Sequence, residues 1–283
     1  MSWALEERRV RVGRLGLNVL DARREGTDGG RTLLMLHGMG AHGDAWRPVL
    51  RDLQGVDRVL CPDHRGHGRS DWSRDGYWLR DYAADARGLL DELGIGEVGV
   101  VGHSLGARVA MVLAPQLDGR LTSLALLDTG PEVSRAAAQQ ALAQGTAKQT
   151  TPGYGSEEKL TAALRAEHPD FADEQIDIRA RLLYRLNWAD KLVLRGDPEV
   201  YWLLGRAGLA EVDDMWAGLR ATKAPALVLR ATKSFLLDAE LGGRMVEALP
   251  QGRYTELELG HFMHYEDPAL IARTLNAFRA DLG

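Results

Sequence analysis

The chain has 283 residues, 45% of them apolar and 27% charged, with a formal net charge of -5. That length suits one α/β domain carrying an insertion, and the mild acidity argues against a nucleic-acid-binding surface. The only cysteine, Cys61, excludes an intramolecular disulfide and zinc–thiolate sites.

Met1 to Arg9 lack the apolar run of a signal peptide. No stretch approaches the roughly 18 uncharged apolar residues of a membrane span, so a cytoplasmic protein without a membrane partner is expected. In chain order, Val10, Val12, Leu15, Leu17, Val19 and Leu20 predict an N-terminal hairpin of short strands, turning at Gly13 and Gly16. Thr32 to Leu36, Val59 to Cys61 and Val98 to Val101 are short apolar runs, as expected of strands buried on both faces. Leu124 to Leu127, Ala226 to Leu229 and Tyr254 to Leu259 complete the set. Helical segments at Trp46 to Leu53, Trp78 to Leu93, Ala107 to Leu117, Ala239 to Leu249 and Pro268 to Leu282 separate most of them. This alternation predicts an α/β fold with a parallel sheet covered on both faces. From Pro131 to Leu219 no strand is predicted. A helical cap over residues 131–219, with a Gly/Thr/Pro-rich loop at Gly145 to Ser156, would therefore interrupt a core of residues 1–130 and 220–283.

The stretch Gly102-His103-Ser104-Leu105-Gly106 follows one predicted strand and opens a helix. G-x-S-x-G alone is a weak pattern, but a strand–turn–helix context makes it a nucleophile elbow that lifts the serine hydroxyl above the sheet edge. The bland alternative is a glycine-rich turn with an incidental serine. A serine hydroxyl needs a base within hydrogen-bond reach. Among eight histidines, His261 follows the last predicted strand and so lies at the same sheet end as Ser104. His103 is expected to point away from the hydroxyl. His64 and His67 fall in a tight loop, His42 and His168 in loop or cap, and His264 would cap or line the pocket.

His37-Gly38, Asp63-x-Arg65-Gly66-x-Gly68-x-Ser70, the elbow and Gly260-His261, in this order, resemble the α/β-hydrolase family across nearly all of the chain outside the cap. The resemblance implies a mostly parallel eight-stranded sheet with helices on both faces, a lid, and a Ser–acid–His triad without cofactor or metal. Its oxyanion hole would come from the backbone amides of Met39 and Leu105. Serine at 104 excludes the branches that use an aspartate nucleophile. The acid departs from the usual pattern. The loop after Ala226 to Leu229 reads Arg230 to Asp238, with Ser234 or Phe235 in the expected slot. Asp238 is expected in the following helix. Asp128, at the end of the preceding strand, is assigned instead, as in some members of the family.

Gly102-His103-Ser104-Leu105-Gly106-Ala107-Arg108, Ile176-Asp177-Ile178-Arg179-Ala180 and the acid-free loop at Arg230 resemble, within the family, hydrolases of 2-(acetamidomethylene)succinate; meta-cleavage hydrolases share the triad and a lid. The first act on a dicarboxylate held by cap arginines, and Arg179 matches such a position. Glu167 and the neutral Gln144 region do not match, so the mechanism is carried over and the substrate is not. The cap also holds Arg165, Arg181, Arg185 and Arg195, with Tyr184, Trp188, Tyr201 and Trp202. These read either as a carboxylate clamp with aromatic walls or as an ordinary amphipathic cap facing solvent. His37, Arg179, Tyr184, Trp188 and His264 are the candidate substrate-binding residues. The expected reaction is hydrolysis of a small-molecule ester, lactone or amide. C–C bond hydrolysis and a slow-turnover ligand receptor are the alternatives.

Overall fold

A computed structural model describes residues 2–27, 30–132, 139, 153–169, 171–200 and 210–281. Strands β1 (Trp3–Val12) and β2 (Leu15–Arg24) pair antiparallel over their full length. Gly13 turns the hairpin with φ +57°, a conformation that a Cβ would strain. Gly16 lies within β2 and is not a turn, because the pairing continues past it to Val12–Leu15.

The chain continues through β3 (Thr32–Leu36), α1 (Arg47–Leu50), β4 (Arg58–Pro62), α2 (Leu79–Glu92), β5 (Val98–His103), α3 (Leu105–Leu113) and β6 (Leu121–Leu127). Helices α4 (Glu157–Glu167) and α5 (Asp173–Leu183) come next, then strands β7 (Tyr184–Leu186) and β8 (Leu192–Leu194). The core resumes with α6 (Val212–Ala221), β9 (Ala226–Ala231), α7 (Ala239–Ala248), β10 (Gly252–Leu257), α8 (Met263–Glu266) and α9 (Pro268–Ala280). One eight-stranded sheet has the order β1-β2-β4-β3-β5-β6-β9-β10. It is parallel from β4 to β10 and antiparallel at β1–β2 and β2–β4.

Alternation decides which face each residue feeds. Leu34, Leu36, Val98, Val100, Leu124 and Leu126 join one core with α2, α3, α6 and α7. Leu33, Met35, Val101, Ala125 and Leu127 join the other with α1 and α9. Central strands buried on both sides therefore read as unbroken apolar runs.

Two helical segments and the last strand differ from expectation in their bounds. The segment from Trp46 to Leu53 shortens to a 3-10 turn, Gly43–Trp46, and the single turn α1, with Pro48 near its start. Helix α3 starts at Leu105 and passes at Ala114–Leu117 into a 3-10 turn containing Pro115. The last strand runs two residues earlier than predicted.

A β-hairpin stands where only helices were expected. Strands β7 and β8 pair antiparallel, and Tyr154 bridges to Leu192. Three-residue strands are too short to show alternation, which is why the sequence hid them. The loop from Gly145 and the Gln144, Tyr201 and Trp202 positions lie outside the described residues, apart from 153–156. No described helix is long and apolar enough to cross a membrane.

Candidate active site

Chain order reverses in the sheet at β3: β4 lies on one side of it and β5 on the other. Such switch points leave a crevice at the strands' carboxyl ends. The register fixes what meets there. Leu36 pairs with Gly102, and His103 pairs with Leu127. The residues that follow, at 38, 104 and 128, thus converge at one rim.

Ser104 is the pivot between β5 and α3, with φ +53° and ψ -118°. A non-glycine residue held there stores about 1–3 kcal/mol of strain. The flanking glycines make the turn possible: a Cβ on Gly102 would come 2.4 Å from the Gly106 carbonyl oxygen, and one on Gly106 2.2 Å from that of Leu36. The Ser104 amide donates to the Leu127 carbonyl at 3.1 Å, tying the elbow to β6. Leu105 opens α3, so its amide is among the N–H groups without an intrahelical acceptor.

Asp128 is fully buried with φ +51°. One carboxylate oxygen accepts from the Ala231 amide at 3.1 Å, and the other lies 2.8 Å from His261 Nδ1. The carboxylate can only accept, so Nδ1 carries the proton and Nε2 keeps its lone pair. The rival acid is occupied elsewhere: Asp238 caps α7 through the Leu241 amide at 2.7 Å. Phe235 in the same loop is exposed.

His261 lies in the irregular segment after β10 and is held at several points. The Gly260 amide donates to Glu266 Oε2 at 2.7 Å, and His103 Nε2 lies 2.7 Å from the His261 carbonyl oxygen. The His103 and His261 rings are 4.6 Å apart. Neither Glu266 nor His103 is among the residues that the sequence marks for this support. The His103 contact spans 158 residues and leaves no local sequence signal, and Glu266, six residues from Gly260, lies in no motif that marks it.

His37, expected to bind substrate, is instead buried with both ring nitrogens engaged by backbone. Its Nε2 accepts from the His64 amide at 2.9 Å, so Nδ1–H donates to the Gly38 carbonyl at 2.7 Å. Holding that carbonyl fixes the Gly38–Met39 peptide plane and hence the direction of the Met39 N–H. Burial keeps His37 well below its ordinary pKa, and pushes His64 to about 3 and His67 to about 4. The Asp63 carboxylate ties the neighbouring segments together, accepting from the Gly43 amide at 2.7 Å and the Arg69 amide at 2.9 Å.

The remaining candidates separate. Trp188 is 96% exposed on the turn between β7 and β8, so it forms no enclosed wall. Tyr184 packs in the core of the 154–194 elements beside Tyr154. His264 is buried, 4.6 Å from the His103 ring and 4.9 Å from Trp46. Burial, then His103, His261 and Arg179, keep it neutral. Arg179 is also buried, its guanidinium 5.8 Å from the Tyr265 ring centre and 5.9 Å from that of Phe171.

Known proteins match this architecture. A family model described as alpha/beta hydrolase fold matches residues 31–268. The chain is 29% identical over 237 residues to the 2-(acetamidomethylene)succinate hydrolase of Mesorhizobium japonicum, covering 82% of this chain and 80% of that protein. It is 28% identical over 255 residues to a 3-hydroxybutyrate-oligomer hydrolase of Cupriavidus necator, covering 86% of each. A crystal structure of E-2-(acetamidomethylene)succinate hydrolase matches with a TM-score of 0.87 at 24% identity, covering 98% of this chain and 100% of that one. The relatives named for a reaction here are hydrolases, and the protein belongs to the α/β-hydrolase fold family.

Proposed function

We propose that the protein hydrolyses a small-molecule ester, lactone or amide through an acyl-enzyme on Ser104. The observation that carries this reading is the 2.8 Å contact between His261 Nδ1 and the buried Asp128 carboxylate beside the elbow. In this mechanism Ser104 Oγ attacks the carbonyl carbon while His261 Nε2 takes the hydroxyl proton. The oxyanion is received by the Met39 and Leu105 amides, worth several kcal/mol in a site that excludes water. His261 then protonates the leaving group, and a water that it deprotonates releases the acid. Residues 131–219 are read as the cap over a core of 1–130 and 220–283, shielding the acyl-enzyme.

Arg179 favours a carboxylate on the substrate. Among the described residues no carboxylate pairs with it, whereas Asp44 is engaged by Arg47 and Asp173 by Arg165 at 2.5 Å. A buried guanidinium left without an acid suits an anionic ligand. The relative named for a succinate derivative agrees with this.

The test is a panel of p-nitrophenyl esters and amides, with half-succinate esters set against their neutral methyl esters. A burst of nitrophenol followed by slower turnover is expected, with anionic esters preferred by about 10- to 100-fold. Arg179→Met should abolish that preference and leave the neutral esters within about twofold. No turnover of any ester or amide, with vinylogous diketones cleaved instead, would replace this reading with C–C hydrolysis.

A further inference from the structure

Asp128 grips His261 at one ring nitrogen only, and a ring held at one point can still tilt about that bond. The backbone around it adds no regular secondary structure: β10 ends at Leu257 and α8 begins at Met263. Beside the Gly260–Glu266 bond, a long-range anchor comes from the elbow itself. His103 is buried, and its Nε2 lies 2.7 Å from the His261 carbonyl oxygen. A backbone carbonyl can only accept, so Nε2 carries the proton.

Strand pleat explains why position 103 makes this contact. Val101 and His103 share one face of β5, the face packed with Met263 and α9, over which the His261 segment passes. The two rings also lie in contact, tilted by 39° with centres 4.6 Å apart. The same imidazole meets the third part of the site. A Cβ built on Gly38 would come 2.9 Å from His103 Nδ1 and 3.2 Å from Ser104 Cβ. The turn carrying the Met39 amide therefore rests on His103. Burial first, then the neighbouring His261, hold His103 well below its ordinary pKa, so it remains a fixed neutral donor.

We infer that His103 is a positioning residue: it ties the loop of the base to the nucleophile's strand and seats the oxyanion turn. This rests on the hydrolase reading for its kinetic consequence, but the clamp itself does not. A misplacement of about 1 Å at a reacting group can cost about 100-fold in rate.

The variants are His103→Phe, which keeps a ring without the donor, and His103→Gln, which keeps a side-chain N–H. Their kcat is measured per active site titrated with a fluorophosphonate, alongside KM. In parallel, the low-field proton resonance of His261 Nδ1 is followed by NMR. His103→Phe should lower kcat per titrated site about 10- to 100-fold with KM within about twofold, and should shift or broaden that resonance. His103→Gln should restore most of both. If phenylalanine prevents folding, His103→Met removes the donor in a flexible side chain and takes its place. Unchanged kcat per titrated site together with an unchanged resonance overturns the inference, as does equal loss in the Phe and Gln variants. Turnover that survives Ser104→Ala would defeat the hydrolase reading, and the resonance alone would then decide the clamp.

Discussion

Ser104→Ala should lower kcat by about five to six powers of ten, comparable to removing the nucleophile of other serine hydrolases. Its effect on stability should be small. The hydroxyl caps no helix N–H, so alanine removes no capping bond from α3. The left-handed backbone at 104 is equally demanding of either side chain, so no strain is relieved. The check is steady-state kinetics on the best ester of the panel beside a thermal melt. A Tm within about 2 °C of the parent with activity gone is the expected pair of results. Loss of both would mean that Ser104 is needed for the fold.

Asp128→Asn should lower kcat by about four powers of ten, as the corresponding change does in the serine-protease template. An asparagine amide at 2.8 Å from His261 Nδ1 can donate to that nitrogen. The imidazole would then adopt the opposite tautomer, with its proton on Nε2 and no lone pair for the serine. The amide group would also offer the Ala231 N–H a weaker acceptor than the carboxylate does, which adds a modest loss of stability. Asp238→Asn is the companion measurement. Asn is nearly as good an N-cap as Asp, so stability should change by less than about 1 kcal/mol and turnover hardly at all. The reverse pattern, severe at 238 and mild at 128, would move the acid to the loop after β9.

Much of this site can be read from residue order because the sheet register converts it into position. Runs such as Thr32 to Leu36 and Val98 to His103 are buried on both faces, so composition alone marks them as central strands. The elbow and the His261 loop then follow as strand ends. The place of Asp128 follows only from the family resemblance: some members carry the acid at the end of this strand, and the usual loop, Arg230 to Phe235, contains no carboxylate. The misreadings share a physical cause. His37 sits in a motif beside the oxyanion turn, and sequence cannot tell whether its ring faces substrate or, as found, the backbone of Gly38 and His64. Trp188, a candidate substrate-binding residue by sequence, tips a hairpin too short to show a period and lies exposed. His103 supports His261 through a contact spanning 158 residues that no local pattern records, and Glu266 through a bond to the Gly260 amide six residues away that no motif marks.

The most direct test of a Ser104–His261–Asp128 triad is the site and rate of covalent labelling by a fluorophosphonate, read by peptide mass spectrometry on the intact protein. The reagent needs only an activated serine and no knowledge of the substrate. One adduct, on the peptide carrying Ser104, is the expected result, with labelling slowed at least about 1,000-fold in His261→Ala. An adduct on any other residue, or an undiminished rate in His261→Ala, would contradict the account.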